Sequence, residues 1–322
     1  MTVVTTRGGM GMGSCVAAIG AANIDLLGFT DKTLRMRDSN PGRIESCLGG
    51  VARNISENLV RLGISTNLIT AIGDDAGGTQ IRESCRQLGI DLTCSLEVAD
   101  HPSSTYMAMM DEQGDMALAL SDMRILDRLK VDHLKTCEPL LEKAAVIVAD
   151  AGLTTETMAW LVGRWPEKRI YLDPVSIGKC RRMEMLTGQF HCIKMNRLEA
   201  GYLAGMTISG KTDLEEASRR LLNKGVKKLF ITLGEQGVYY ADEALQGMTP
   251  AIPLQPVNAT GAGDAFTAAV VYGDLQGWSM AATARFAVRA SAVALLSRHT
   301  VSEDMSVETV NALKDKLTTK AT

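Results

Sequence analysis

Short apolar runs alternate with helical patterns along most of this sequence, and this alternation restricts the possible folds more than any other feature. Helical patterns occur, for example, at 51–62, 155–163 and 214–225. The apolar runs, each typical of a buried strand, are CVAAIG (15–20), NLITAIG (67–73), AAVIVAD (144–150), RIYLD (169–173), HCIKM (191–195) and KLFITL (228–233). Such alternation predicts βαβ crossovers and an α/β fold, in which helices cover both faces of a parallel sheet.

Two segments depart from this pattern. Residues 26–48 are irregular and polar with strand-like pieces, and residues 103–120 predict a hairpin whose turn is EQG. Together they predict a small antiparallel sheet that projects from the main domain. We therefore expect a flexible leader at 1–14 and a single α/β domain at 15–322, with a β-sheet lid formed by about 26–48 and 100–122.

Charge and hydropathy exclude several classes of partner. The chain has 322 residues and a net charge of −3, which does not favour a nucleic-acid or membrane partner. No apolar run approaches the ~20 residues needed to span a bilayer. The seven cysteines are scattered and form no C-x-x-C motif, which indicates reduced thiols and a cytoplasmic location.

The stretch NATGAGDAF (258–266) is the strongest candidate for a reactive site. Glycines at the start of a helix let backbone N–H groups approach an anion, so Gly261, Ala262 and Gly263 could face a phosphoryl group. Asp264 would follow in the first helical turn, where it could take a proton from a hydroxyl. The alternative is an ordinary turn with an aspartate at the helix start.

A second glycine-rich stretch is misleading. GMTISGKT (205–212) satisfies the Walker A pattern, but the residues before it, 196–204, have a helical pattern where a P-loop requires a buried strand. We therefore interpret it as a polar loop between two helices, with Thr212 or Asp213 as the N-cap residue.

Polar residues that could bind an acceptor or a nucleotide occur at four other places. Each has a structural alternative: Asp25 could end a strand, Asn54 could be a solvated helix residue, and Glu199 could form a capping box with Asn196. As a pair, Asn196 and Glu199 could instead hold Mg²⁺ through water. The four places are GAANID with Asn23 and Asp25, GGVARN with Asn54, KMNRLE with Asn196 and Glu199, and TLGEQG with Thr232, Gly234 and Gly237.

Taken together, these motifs resemble the PfkB family of ribokinase-like carbohydrate and nucleoside kinases. The resemblance extends from about residue 15 to about 300, and its two signature-like blocks are GGVARNISENLVRLG and NATGAGDAF. It implies a Rossmann-like domain with a β-sheet lid, ATP as the phosphoryl donor, Mg²⁺, and a homodimer formed through the lid. K⁺ binding is also implied near the second block, although Asn258 stands where the family often has Asp. Met195 stands where the family usually has Pro.

The resemblance also implies roles for individual residues. Asp264 corresponds to the catalytic base, and the glycine-rich turn before it corresponds to an anion hole. The N-x-x-E motif of Asn196 and Glu199 is associated with Mg²⁺ and phosphate. The acceptor-binding set is Asn23, Asp25, Gly49, Gly50 and Asn54, the anion hole is Gly261, Ala262 and Gly263, and the nucleotide-side turn is Thr232, Gly234 and Gly237.

Within the family, several stretches look like the branch that phosphorylates the 5′-hydroxyl of pseudouridine; among them are DSNPGRI (38–44) and DPVSIGKC (173–180). On this reading Asn40, Thr105 and Lys179 would contact the base, since an amide, a hydroxyl and an ammonium can pair with a uracil ring. Two alternatives stay open. The acceptor could be ribose, another sugar or another nucleoside, or the protein could bind a nucleoside without turnover.

Overall fold

The computed structural model describes residues 15–318, so the expected leader at 1–14 lies outside the described residues. The described strands are β1 (Val16–Ile19), β2 (Asn23–Thr30), β3 (Gly42–Gly49), β4 (Thr66–Ile69), β5 (Ala71–Gly73), β6 (Leu96–Val98), β7 (Thr105–Met110), β8 (Met116–Asp122), β9 (Val146–Asp150), β10 (Ile170–Asp173), β11 (Cys192–Asn196), β12 (Lys228–Thr232), β13 (Val238–Asp242) and β14 (Gln246–Thr249). The described helices are α1 (Val51–Arg61), α2 (Ala76–Leu88), α3 (Val131–Thr136), α4 (Glu138–Lys143), α5 (Thr155–Arg164), α6 (Ile177–Met183), α7 (Arg197–Ala204), α8 (Lys211–Asn223), α9 (Ala262–Leu275), α10 (Met280–Leu295) and α11 (Val307–Thr318).

The main sheet has eight strands in the order β14-β13-β12-β11-β10-β9-β1-β4. The six strands from β12 to β4 are parallel, as the alternating pattern predicts. The last two, β13 and β14, are antiparallel, so the sheet is mixed at this edge. The chain reverses in a tight turn in which the Leu233 N–H donates to the Gly237 carbonyl over 2.8 Å, which returns β13 alongside β12.

Apolar side chains cover both faces of the main sheet. Along β1, Val16 packs with one cluster of buried residues and Ala17 with another, and Val148 and Ile147 of β9 divide in the same way. Helices α1, α9 and α10 supply the first cluster, and α5, α7 and α8 supply the second. Burial on both faces explains why these strands are continuous apolar runs rather than alternating ones.

A separate four-stranded sheet, the small sheet, has the order β3-β2-β7-β8. The predicted hairpin is present as β7 and β8. The segment 26–48 contributes β3 and most of β2, two strands of eight residues each, as its strand-like pieces predict. The expectation of an antiparallel sheet was wrong for one pair, because β2 and β7 are parallel. The first five residues of β3 are exposed and most of β2 is only partly buried, which weakens the hydrophobic pattern in the sequence. In register, Asp25 pairs with Cys47 on β3 and with Tyr106 on β7.

The loop with the Walker A pattern lies between two helices, as expected. It follows α7 rather than a strand, and α8 begins at Lys211. The expectation of Thr212 or Asp213 as the N-cap was wrong, because Gly210 occupies that position. Asp213 instead accepts hydrogen bonds from the Ser209 and Gly210 N–H groups, at 2.8 and 3.1 Å. Within residues 15–318, no helix is both long and apolar enough to cross a membrane.

Candidate active site

The N-terminus of α9 is open to a ligand. The chain enters the helix through Gly261, whose φ of 84° is left-handed and whose Cβ, were there one, would lie 1.8 Å from the Thr300 carbonyl oxygen. Only glycine fits such a position. No side chain caps this helix among the described residues, so its first N–H groups, including those of Ala262 and Gly263, are available to an anion.

Asp264 lies in the first turn of α9, and Asn54 of α1 holds it. The Asn54 amide Nδ2 donates to Asp264 Oδ2 over 2.8 Å. Burial raises the pKa of Asp264 to about 7, and the nearby Asp173 carboxylate adds to the rise. The Asn54 hydrogen bond and the Lys194 ammonium oppose it. A carboxyl with a pKa near neutrality is suited to accept a proton at physiological pH.

A buried ion pair lies beneath the same helix, and sequence reasoning missed it. Lys194 of β11 donates to Asp173 of β10 over 3.0 Å, and Thr267 donates to the same carboxylate oxygen over 2.9 Å. A Cβ on Gly263 would lie 2.9 Å from Lys194 Nζ, which places the ammonium directly under the helix start. Burial alone would lower the pKa of Lys194, but Asp173 and Asp264 outweigh it and raise that pKa. The available signal was a lysine inside a run otherwise typical of a buried strand.

Asn23 and Asp25 form a second polar group at the start of β2. The Asn23 amide donates to Asp25 Oδ1 over 2.5 Å. Burial raises the pKa of Asp25, while Asn23 and Arg53 oppose the rise. A Cβ on Gly49 would lie 2.4 Å from Asp25 Oδ2, so this glycine leaves room for the carboxylate. Gly50 follows as the N-cap of α1, with a φ of 97°.

The residues of the predicted nucleotide-side turn line an apolar cavity of about 250 Å³. Thr232, Gly234 and Gly237 form one wall, and Ala262 and Gly263 of the α9 start form part of another. Apolar side chains that also line it include Ile252, Leu254, Phe266, Val288 and Leu295. The cavity therefore opens beside the exposed N–H groups of α9.

Asn196 and Glu199 form the capping box that was the structural alternative. Asn196 Oδ1 accepts from the Glu199 N–H over 2.9 Å, and Glu199 Oε2 accepts from the Asn196 N–H over 2.8 Å. Within residues 15–318, no group of three or more His, Cys, Asp or Glu side chains could hold a metal directly. A carboxylate has more acceptor sites than one capping bond uses, so the pair still fits a water-mediated contact to Mg²⁺.

The three residues expected to contact a base lie on three separate segments: the loop before β3, the start of β7, and α6. Asn40 is bonded within its own loop, where it accepts from the Arg35 N–H over 2.8 Å and donates to the Arg35 carbonyl over 3.0 Å. Thr105 begins β7, and its hydroxyl donates to the Ser103 carbonyl over 3.3 Å. Lys179 lies in α6, and its ammonium is near Asp150 at the end of β9. There it opposes the rise that burial causes in the pKa of Asp150.

Asn258 begins the loop that leads into α9. Its side chain is occupied within this loop region, because Oδ1 accepts from the Thr260 N–H over 2.9 Å and Nδ2 donates to the Arg298 carbonyl over 3.2 Å.

Comparisons with known proteins agree with the family resemblance and with the fold. The family model described as pfkB family carbohydrate kinase matches residues 14–306. Pseudouridine kinase of Escherichia coli (strain K12) is 34% identical over 299 residues, which cover 92% of this chain and 96% of that protein. Ribokinase from Thermotoga maritima has a TM-score of 0.82 at 19% identity and covers 93% of this chain and 99% of its own. A structure of Arabidopsis thaliana ribokinase complexed with ribose and ATP has a TM-score of 0.80 at 19% identity, and the match covers 94% of this chain and 99% of that protein.

Proposed function

Because the chain belongs to the PfkB family of carbohydrate kinases, we propose that it transfers the γ-phosphoryl group of ATP to the 5′-hydroxyl of pseudouridine, giving pseudouridine 5′-phosphate and ADP. Family membership and the ATP complex of a structural neighbour support a kinase that uses ATP and acts on a sugar or nucleoside. The choice of pseudouridine rests on the 34% identity to the E. coli enzyme. The observation that carries the reaction is the Asn54–Asp264 hydrogen bond at the start of an uncapped helix.

In this proposal Asp264 is the general base. It accepts the proton of the acceptor hydroxyl as the hydroxyl oxygen bonds to the γ-phosphorus and the bond to the β-phosphate oxygen breaks. Negative charge on the transferred group would be stabilised by the N–H groups of Gly261, Ala262 and Gly263. The Lys194 ammonium under Gly263 adds a positive charge on the same side. Asn54 keeps the base oriented.

The donor nucleotide would occupy the apolar cavity beside α9, with its base against the wall that includes Thr232, Gly234 and Gly237. This position would direct the phosphates toward the α9 N-terminus. Asn196 and Glu199 would hold Mg²⁺ through water, and when bound the ion would neutralise charge on the phosphates. Binding of K⁺ by the loop at Asn258 rests on the family resemblance.

The acceptor would bind between α1 and the small sheet. Asp25 would accept hydrogen bonds from the vicinal hydroxyls of the ribose ring, with Asn23 and Gly49 positioning the carboxylate and Asn54 at the reacting end. The place of Gly50 in this set rests on the family resemblance. The small sheet would act as a lid. Asn40, Thr105 and Lys179 would contact the base after closure, which requires Asn40 to exchange its present bonds for bonds to the substrate.

One observation favours a different acceptor. The Asn40 amide nitrogen donates to the Arg35 and Asp38 carbonyls of its own loop, and Asp25 would serve any sugar with vicinal hydroxyls. Ribose, another sugar or another nucleoside is therefore the second candidate.

A substrate panel separates these candidates. We expect ADP release with Mg-ATP to show the highest kcat/KM for pseudouridine, well above uridine, inosine and ribose. A clear preference for ribose or uridine would contradict the pseudouridine assignment and leave the kinase assignment intact. Calorimetric binding of a nucleoside with no ADP release from any acceptor would contradict both.

We also propose that the protein is a homodimer formed through the small sheet. Its face opposite Asp25 is apolar and exposed: Ile44 is 79% exposed, Leu118 57% and Leu120 67%. A contiguous apolar face of this kind is typical of a protein–protein interface.

Sedimentation should give a dimer for the wild type and a monomer for Leu118→Lys. The control is Met185→Lys, because Met185 is 89% exposed and lies outside the small sheet. A monomeric wild type would contradict the proposal.

A further inference from the structure

Arg53 is a buried arginine that none of the proposed roles uses. It is 5% exposed and lies in the first turn of α1, directly before Asn54. Its Nη1 donates to Asn54 Oδ1 over 3.0 Å, and its Nη2 donates to Glu57 and lies 3.5 Å from the Ser84 hydroxyl. Glu57 is held in turn by Arg61, at 2.8 Å. Arg53 therefore joins a buried ion-pair network to the residue that contacts Asp264.

Fold stability alone does not explain this arginine. Replacing a buried ion pair with apolar residues of similar volume is often neutral or stabilising, because removing charges from water is costly. Arg53 also carries an additional cost, since its Nε is buried and has no hydrogen-bond partner among the described residues. An expensive group in this position suggests a role in the site beside it.

The contact with Arg53 fixes the orientation of the Asn54 amide. A guanidinium can only donate hydrogen bonds, so the atom that faces it must be the amide oxygen. The amide nitrogen is thereby directed at Asp264, to which it can only donate, and donation favours the ionised carboxylate. If the amide were rotated, its oxygen would face Asp264 and would favour the protonated acid. Glu57, Arg53, Asn54 and Asp264 thus form a directional chain of hydrogen bonds.

We propose that Arg53 is a positioning residue that locks the Asn54 amide so that Asp264 is kept ionised and oriented toward the acceptor hydroxyl. The same guanidinium supports the acceptor carboxylate, because its charge acts on Asp25. One side chain would therefore couple the site that binds the sugar to the base that activates it. This inference rests on the proposed function, because it assumes that Asp264 is the base.

Several charged groups besides this chain face Asp264. Asp173 of β10 and Asp150 of β9 favour its protonated form, and Lys194 of β11 favours the ionised form. These groups stay in place when Arg53 is replaced. A shift in the titration of Asp264 would therefore report the change at Arg53 and Asn54.

The test compares pH profiles of kcat/KM for Arg53→Met, Arg53→Lys and the control Ser84→Ala. The acidic limb is the fall in kcat/KM at low pH that follows protonation of Asp264. In Arg53→Met we expect the midpoint of this limb to rise by roughly one pH unit, because the Asn54 amide can rotate and favour protonated Asp264. Activity should recover at high pH. Arg53→Lys keeps a donor and a charge, so its limb should stay close to that of the wild type. Ser84→Ala removes only the 3.5 Å contact and should match the wild type.

Two results for folded Arg53→Met would contradict the inference. One is an acidic limb with the same midpoint as in the wild type, and the other is a loss of the same fraction of kcat/KM at every pH. If Arg53→Met does not fold, Arg53→Lys decides: loss of activity that is independent of pH would count against the inference. The profiles are measured with the best acceptor from the substrate panel, so a wrong acceptor does not affect this test. An NMR titration of carbon-13-labelled aspartate carboxyls measures the pKa of Asp264 without turnover. The Asp264 signal is assigned by its absence from the spectrum of Asp264→Asn.

Discussion

Asp264→Asn will reduce kcat for phosphoryl transfer by about 10²–10⁴-fold, the usual contribution of a positioned general base. Asparagine has nearly the same shape and can still accept the hydrogen bond from Asn54, so the loss would reflect the missing proton acceptor. The measurement is steady-state ADP release at saturating ATP and acceptor. Asp127→Asn, which changes an exposed carboxylate outside the site, is the matched control.

The pH dependence gives the same prediction a second test. The pKa of Asp264 is raised to about 7, so the base is protonated below that pH and wild-type kcat/KM should fall as the pH drops through it. Because the folded-state pKa of this acid is raised, folding favours its neutral form. The stability that the neutral form contributes is fully present below the unfolded-state pKa of 3.8 and is lost as the pH rises through about 7. Asp264→Asn should therefore unfold at an equal or higher temperature than the wild type at pH 8. Near-normal turnover in this folded variant would show that Asp264 is not the base.

Asp25→Asn should act on acceptor binding. The carboxylate is proposed to accept two hydrogen bonds from vicinal hydroxyls, and an amide in contact with the Asn23 amide cannot reproduce both. Hydrogen bonds to a charged group contribute about 1.5–3 kcal/mol each, so kcat/KM for the acceptor should fall by roughly two to four orders of magnitude. Most of the loss should appear in KM.

Slow hydrolysis of ATP by water, measured without acceptor, is the internal control for Asp25→Asn, because it does not involve the acceptor site. It should stay at the wild-type rate. An unchanged KM for the acceptor would remove Asp25 from the binding set. The contrast between a KM effect here and a kcat effect at Asp264 also separates the two roles.

Much of the fold was predictable because local patterns specify it. The apolar runs at β1, β9, β10, β11 and β12 are buried on both faces, and such runs are identifiable without knowledge of their partners. The segment 26–48 was harder, because β2 and β3 are partly exposed and have no strong periodicity. The antiparallel edge formed by β13 and β14 depends on the turn at Gly237 and was not anticipated.

The candidate site was predictable only where its chemistry lies in a contiguous motif. The glycine-rich entry to α9 and the polar end of GAANID could be identified in this way. Lys194 and Asp173 were missed because they are 21 positions apart and meet only when β10 and β11 pair in the main sheet. Arg53 was missed because an arginine in a helical pattern is normally solvated, and nothing local indicates its burial.

The sequence by itself determined the buried parallel strands of the main sheet and the helices predicted between them. It also supplied the glycines and the carboxylate at the start of α9, since all of these depend on short-range sterics and hydrophobic periodicity. Only the tertiary structure decided which charges face that carboxylate. Asn54 and Asp264 are 210 positions apart, and packing of α1 against the start of α9 brings them together. The physical reason is that proton affinity depends on burial and on neighbours across the fold, which no local pattern encodes.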